Sequence, residues 1–255
     1  MKIEMKSAVE VRGLQKSYGS HVVLKGLHFH IRTGEIFALL GVNGAGKTTT
    51  LECIEGLREY DEGTITVNGT MGIQLQSSSL PAHIKPMEAV RLFAAWNRVT
   101  PDRSMLNALG IKEIEKKQYL QLSTGQKRRL HLALALISSP DILFLDEPTA
   151  GLDVEGRRSL HSQIRALKAQ GKTIVLASHD MAEVETLCDR IAILKEGELA
   201  FCGTPSQLTD LVGRQFTIQL KTRQGTKIHK TRDVADTLLS LLAQEKKKGM
   251  EVLDI

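Results

Sequence analysis

The chain has 255 residues, of which 42% are apolar and 25% charged, with a net charge of +5. This suits one large core, or a main domain with a small appendix, and excludes a disordered chain. Cys53, Cys188 and Cys202, an odd number at wide spacing, form neither a disulfide framework nor a zinc pattern, and no run nears the roughly 18 apolar residues of a membrane span.

Residues 1–6 lack the apolar core of a secretory leader, so no export of the chain itself is expected. Val9-Glu10-Val11 and residues 63–69 read as antiparallel strands, with Asn68-Gly69 as a hairpin-turn signal. Residues 36–40, 142–145, 173–177 and 191–194 are short apolar runs separated by helical segments, which predicts an α/β sheet with parallel pairs. Residues 77–135 differ. Pro86 can open a helix, Met87, Val90, Phe93, Ala94 and Asn97 follow at helical spacing, and no convincing strand precedes Ile142. A mostly helical insertion is expected there, with Trp96 in its core. Thr204 as N-cap and Pro205 at the first helical position start another helix. Residues 216–220, 227–230, 234–243 and 250–255 then suggest a β-β-α-β appendix. Residues 214–255 carry nine Lys/Arg and five Asp/Glu. A basic stretch can meet an anionic surface, but a solvated face with Lys246, Lys247 and Lys248 closing a helix is the favoured reading.

Gly41-Val42-Asn43-Gly44-Ala45-Gly46-Lys47-Thr48 fits the pattern G-x-x-x-x-G-K-[ST], and Thr49 extends the run. The glycines let successive N–H groups turn inward as an anion nest, and the following helix adds its positive end. Lys47 then reaches the terminal phosphates, and the Thr48 hydroxyl can ligate Mg²⁺. A glycine-rich turn without a ligand is the plain alternative. The strand before the loop and the helix after it favour a nucleotide. The apolar run 142–145 leads directly into Asp146-Glu147. Two carboxylates at a buried strand end are unfavourable unless metal or hydrogen bonds compensate. Asp146 is the candidate metal-side carboxylate and Glu147 the candidate general base. The alternative is an ordinary pair of acids opening a helix.

Further motifs follow in order. Leu122-Ser123-Thr124-Gly125-Gln126 resembles the signature of ABC-type ATPases, usually read LSGGQ, with Thr124 in place of a glycine. Ser123 and Gln126 also make an S-x-x-Q capping box, which is compatible with a helix tip offered to phosphate. Gln76 resembles the family's Q-loop glutamine, Asp153 in Ala150-Gly151-Leu152-Asp153 its D-loop, and His179 in Ser178-His179-Asp180 its switch histidine. Tyr18 sits where the family stacks an aromatic ring on adenine. Asp180 is read as an N-cap with Glu183 at the third position, which leaves the His179 imidazole free for the γ-phosphate. Gln74 is read as a strand residue.

The resemblance covers about residues 8–205. It implies a P-loop NTPase fold of the ABC type: α/β, with an antiparallel N-terminal β subdomain, a helical subdomain at about 77–135, and residues 206–255 as a C-terminal accessory segment. It implies an ATP hydrolase using Mg²⁺, with Thr48, Gln76 and Asp146 on the metal side and Glu147 and His179 in catalysis. The resemblance also implies a head-to-tail ATPase dimer, of identical or different subunits, which fits one phosphate loop and one signature per chain; Ser123 and Gly125 are expected to act across the interface, with Thr124, Gln126 and Asp153 as further nucleotide-binding candidates. The resemblance further implies a separate transmembrane permease that docks near Gln76 and residues 87–96, and a place on the cytoplasmic face of the cell membrane. Residues 40–49 with 150–153 look like the bacterial drug, antibiotic and lipid export branch. A soluble ABC ATPase acting on ribosomes or DNA is the rival class. Such members carry a second nucleotide domain, coiled coils or zinc modules, which this sequence lacks, so no nucleic-acid partner is expected. A non-hydrolysing nucleotide sensor would lack Glu147 or His179. The transported substrate is not legible in these motifs.

Overall fold

A computed structural model describes residues 7–75, 79–212, 216–222, 225–231, 237, 238, 240, 241, 244 and 252–254. The chain divides into two compact units, Met1–Pro205 and Ser206–Ile255.

The first unit opens with two long strands, β1 (Ser7–Tyr18) and β2 (His21–Arg32). β2 lies outside the strands expected from sequence. Its signal is alternation: Leu27, Phe29 and Ile31 are buried while the residues between them are exposed. β3 (Ile36–Leu40) follows, then α1 (Lys47–Ile54), β4 (Glu62–Val67) and β5 (Met71–Gln74). β1 pairs antiparallel with both β2 and β4, giving a three-stranded sheet in the order β2-β1-β4.

Asn68-Gly69 does not turn a hairpin. It carries the chain out of this sheet and into a second one, where β5 pairs with a strand from far along the sequence. Asn68 Nδ2 donates to the Ser7 carbonyl, and Asp141 crowds Gly69, where a Cβ would lie 2.9 Å from the Asp141 Cβ. These long-range contacts override the local turn preference of the pair.

The helical insertion contains α2 (Pro86–Asn97), α3 (Arg103–Ala108), α4 (Ile111–Ile114), a 3₁₀ turn (Tyr119–Gln121) and α5 (Thr124–Ala135). Pro86 occupies the first turn of α2, and Glu88 accepts from the Lys85 backbone N–H. Ala89, Val90 and Ala94 turn inward. Leu92 and Trp96, four residues apart on another face, are 56% and 81% exposed. Trp96 is therefore not a core residue, contrary to expectation.

β6 (Ile142–Asp146), α6 (Val154–Ala169), β7 (Thr173–Ser178), α7 (Met181–Leu187), β8 (Arg190–Lys195) and β9 (Glu198–Gly203) complete this unit. The main sheet has the order β5-β6-β7-β3-β8-β9, with β9 an antiparallel edge on otherwise parallel strands. β3, β6 and β7 are buried at every position, which is why they read as unbroken apolar runs. Phe37, Phe144 and Val175 of this sheet share one core with Leu14, Leu27 and Ile31 of the first.

α8 (Pro205–Val212) begins where Thr204-Pro205 predicts a helix start. In the second unit, β10 (Phe216–Thr222), β11 (Gly225–Thr231) and β12 (Val252–Asp254) form an antiparallel sheet in the order β11-β10-β12. Ile218 and Leu220 are buried with Leu241, a helical residue. Residues 1–6 and Lys246, Lys247 and Lys248 lie outside the described residues. The three cysteines are free thiols, and burial raises the pKa of each. Among the described residues no helix is long and apolar enough to cross a membrane.

Candidate functional site

The loop between β3 and α1 is shaped by close approaches. Gly46 caps α1 with φ 102°, and a Cβ there would lie 2.7 Å from Leu24 Cδ2. Gly41 faces the Leu194 carbonyl, 2.6 Å from where its Cβ would be. Lys47 is buried and folds back over the loop, donating to the carbonyls of Gly41 at 2.8 Å and Val42 at 3.3 Å. This ammonium therefore spans the loop.

Thr48 Oγ1 donates to Asp146 Oδ2 at 3.1 Å. Asp146 Oδ1 is buried and has no hydrogen-bond partner among the described residues. An orphaned carboxylate oxygen beside a hydroxyl is a donor set that suits a hard divalent cation. Burial raises the Asp146 carboxyl pKa, opposed by the Thr48 hydrogen bond and reinforced by Glu147.

Parallel pairing sets Asp146 of β6 opposite Ala177 of β7, so the residues that follow leave the sheet side by side. Glu147 has φ 49°, a left-handed conformation uncommon for a side chain of this size. Its N–H donates to the Ala177 carbonyl at 3.1 Å. Its carboxylate meets His179 Nδ1 at 2.8 Å. The His179 side chain is 60% exposed, and its Nδ1 contact with Glu147 departs from the free imidazole expected from sequence.

A cleft of about 440 Å³ is lined by Asn43, Gly44, Gly46, Lys47, Thr48, Thr49 and Glu147, with His21 and Val23 of β2 on its wall. His21 and Val23 escape the motif reading because β2 itself does. Val42 is exposed beside this cleft, while Ala45 is buried and donates its N–H back to the Val42 carbonyl at 3.1 Å. Tyr18 is half exposed at the end of β1. The Lys16 ammonium and the Arg58 guanidinium lie 5.5 and 5.4 Å from its ring centroid, with Arg58 held by Glu52.

The Ser123 segment forms a second site. Ser123 Oγ accepts from the Gln126 N–H at 3.3 Å, and Gln126 Oε1 accepts from the Ser123 N–H at 3.1 Å, so the predicted capping box is present. Thr124 opens α5. Among the described residues a Cβ on Gly125 would meet only Leu152, at an ordinary 3.7 Å. Asp153 caps α6, accepting from the Gly156 N–H at 2.7 Å. Ser123, Thr124, Gly125, Gln126 and Asp153 line one cleft of about 530 Å³, which has no residue in common with the phosphate-loop cleft.

Gln76 lies outside the described residues. Gln74 is a β5 strand residue, buried, with Oε1 unpartnered among the described residues. Asp180 caps α7, accepting from the N–H groups of Ala182 and Glu183. The Glu183 side chain, read from sequence as part of that cap, points instead into a buried cluster with Thr149, Ser178 and His161.

A glycine loop joining the central parallel strand β3 to a helix, with the acid-ended strand β6 two places away in the same sheet, defines a P-loop NTPase. Comparison with known proteins narrows this class. Residues 24–150 match the model of the ABC transporter family. The chain is 35% identical over 230 residues to the linearmycin resistance ATP-binding protein LnrL of Bacillus subtilis (strain 168), covering 83% of this chain and 74% of that protein. It is 36% identical over 220 residues to the Nod factor export ATP-binding protein I of Burkholderia orbicola (strain AU 1054), covering 79% and 72%. A solved ATP-binding subunit of an ABC transporter superposes with a TM-score of 0.74 at 27% identity, covering 81% of this chain and 93% of that one. The chain belongs to the ABC transporter family of ATP-binding subunits. It has the ABC-type fold expected from its motifs, binds ATP, and is an ATPase of that family.

Proposed function

We propose that this chain powers export by closing head to tail on ATP with a second ATPase subunit, a copy of itself in the simplest assembly, and transmitting that closure to a separate permease. One observation carries the dimer. The phosphate loop and the signature helix open into separate clefts with no shared residue, so one copy offers each half of a site and completes neither.

In this reading residues 8–205 are the ATPase domain, residues 77–135 its helical subdomain, and residues 206–255 an accessory segment. Tyr18 stacks on adenine. The N–H groups of residues 41–49 and the Lys47 ammonium hold the phosphates. Thr48 and Asp146, with Gln76, hold Mg²⁺, which neutralises charge on the phosphate oxygens when bound. Glu147 takes a proton from the attacking water. His179 fixes the Glu147 carboxylate through Nδ1 and leaves its exposed edge for the γ-phosphate. The partner subunit contributes Ser123, Thr124, Gly125 and Gln126, whose helix tip carries positive dipole toward the same phosphate, and Asp153 beside them. Cleaving the γ-phosphate removes the charge both subunits grip, and the dimer reopens.

Leu92 and Trp96 form the permease-facing patch. Two large apolar side chains left in water on one helix face suit a protein contact. That contact would hold the subunit on the cytoplasmic face of the membrane. Export is favoured because one relative is named for Nod factor export, and another is named for linearmycin resistance, which efflux can supply. The test is to express Glu147→Gln in cells, trap it with ATP, and identify what co-purifies. A polytopic membrane protein is expected. Recovery with ribosomes or DNA would overturn the transporter reading.

A further inference from the structure

We infer that Glu183 is a positioning residue for hydrolysis: one buried carboxylate that locks the Glu147 turn and the His179 segment into a fixed relation. The inference rests on the roles proposed above for Glu147 and His179.

Glu183 is 7% exposed. Its Oε2 accepts from Thr149 Oγ1 and from Ser178 Oγ, each at 3.0 Å. Its Oε1 lies 3.0 Å from His161 Nε2. Each partner comes from a different segment. Thr149 lies two residues after Glu147. Ser178 ends β7 and directly precedes His179. His161 belongs to α6, the helix that Asp153 caps.

A carboxylate this deep is unfavourable unless its lone pairs are used. Here the compensating donors are drawn from the two segments that carry the base and its histidine. The Ser178 hydroxyl also accepts from the Asp180 N–H at 3.0 Å, so His179 is bracketed on both sides by one hydrogen-bonded chain. The Thr149 bond acts on the other arm, where Ala150 N–H closes a turn onto the Glu147 carbonyl at 3.1 Å. Glu147 sits in a left-handed conformation, and such a residue persists only when its surroundings over-determine it. Glu183 touches neither reacting group. It holds both backbones from behind, and α7 does not need it as a cap because Asp180 supplies that role.

The experiment measures ATP hydrolysis and ATP affinity on the full chain for Glu183→Ala, Glu183→Gln and the double variant Thr149→Val/Ser178→Ala. Removing the carboxylate is expected to lower kcat by about 10–100-fold, the scale of a small misplacement of catalytic groups. KM and ATP affinity are expected to stay within about threefold of wild type. Glu183→Gln is expected to recover kcat to within about threefold, since its amide oxygen accepts both hydroxyls and its NH₂ takes the place of Oε1 beside the His161 ring. The double variant is expected to reproduce the loss. Unchanged kcat in the alanine or double variant would overturn the inference, as would a parallel fall in affinity and kcat. Should Glu183→Ala not fold, the glutamine and double variants decide by the same criteria. Full turnover by Glu147→Gln, run alongside, would instead remove the proposed base.

Discussion

His179 Nδ1 and the Glu147 carboxylate lie 2.8 Å apart, joining the ends of two neighbouring parallel strands. The contact pairs a candidate base with the group that orients it. In the proposed mechanism this contact makes the imidazole part of the hydrolytic unit rather than an independent phosphate sensor.

Glu147→Gln keeps the size and shape of the side chain but removes its basicity. Turnover is expected to fall by about 10²–10⁴-fold, the usual share of a general base. ATP affinity, measured by nucleotide binding at equilibrium, should stay at the wild-type level because the phosphate loop is untouched.

Lys47→Ala removes a buried ammonium that already spans the loop through the Gly41 and Val42 carbonyls. Charge-assisted bonds of this kind are worth about 1.5–3 kcal/mol each, so ATP affinity should fall by about 10–100-fold or more. A calorimetric titration checks it.

Gly125→Asp separates folding from function. Among the described residues a Cβ at this position meets only Leu152 at an ordinary distance, and an acid in the first turn of α5 favours the helix dipole. The melting temperature should therefore hold or rise. Turnover should be lost, because in the proposed dimer the new charge would face the partner's γ-phosphate. Ser123→Ala, by contrast, should cost about 1 kcal/mol of stability through the lost cap.

Glu55 gives a pH signature. Burial, followed by the negative charges of Asp146 and Glu52, pushes its carboxyl up from 4.5 to about 7. The folded protein thus holds this proton more tightly than the unfolded chain. The associated stability is present in full below about pH 4.5 and is lost as pH rises through about 7. Glu55→Gln stays neutral throughout. In nucleotide-free buffer with a chelator, its melting temperature should pull ahead of wild type between pH 5 and pH 8. A constant gap across that window would contradict the burial argument.

Trp96→Ala and Leu92→Ala should leave stability within about 0.5 kcal/mol, as expected for exposed positions. Recovery of the subunit with washed membranes containing its permease should drop. Unchanged recovery would move the docking face elsewhere.

Motifs with fixed local geometry were legible in the sequence. The phosphate loop, the Ser123 capping box and the buried runs of β3, β6 and β7 are set by neighbouring residues, and the fold honours them. What escaped depends on distant partners. Asn68-Gly69 carries strong turn chemistry, but Ser7 and Asp141 recruit it to a crossing between sheets. Glu183 has the spacing of a capping residue, yet hydroxyls from two other segments take its carboxylate inward. Trp96 follows a helical apolar pattern whose inward face is filled by smaller residues. The His179–Glu147 contact needed the β6–β7 register, which no local pattern encodes.

In the proposed dimer two protomers grip one γ-phosphate, one by its glycine cradle and the other by its capped helix. Light scattering on purified Glu147→Gln in saturating Mg-ATP tests this most directly. The mass should double relative to the nucleotide-free chain, and adding Gly125→Asp in the same background should return the monomer while ATP still binds. A Glu147→Gln protein that binds Mg-ATP yet keeps the mass of a single chain would contradict the account.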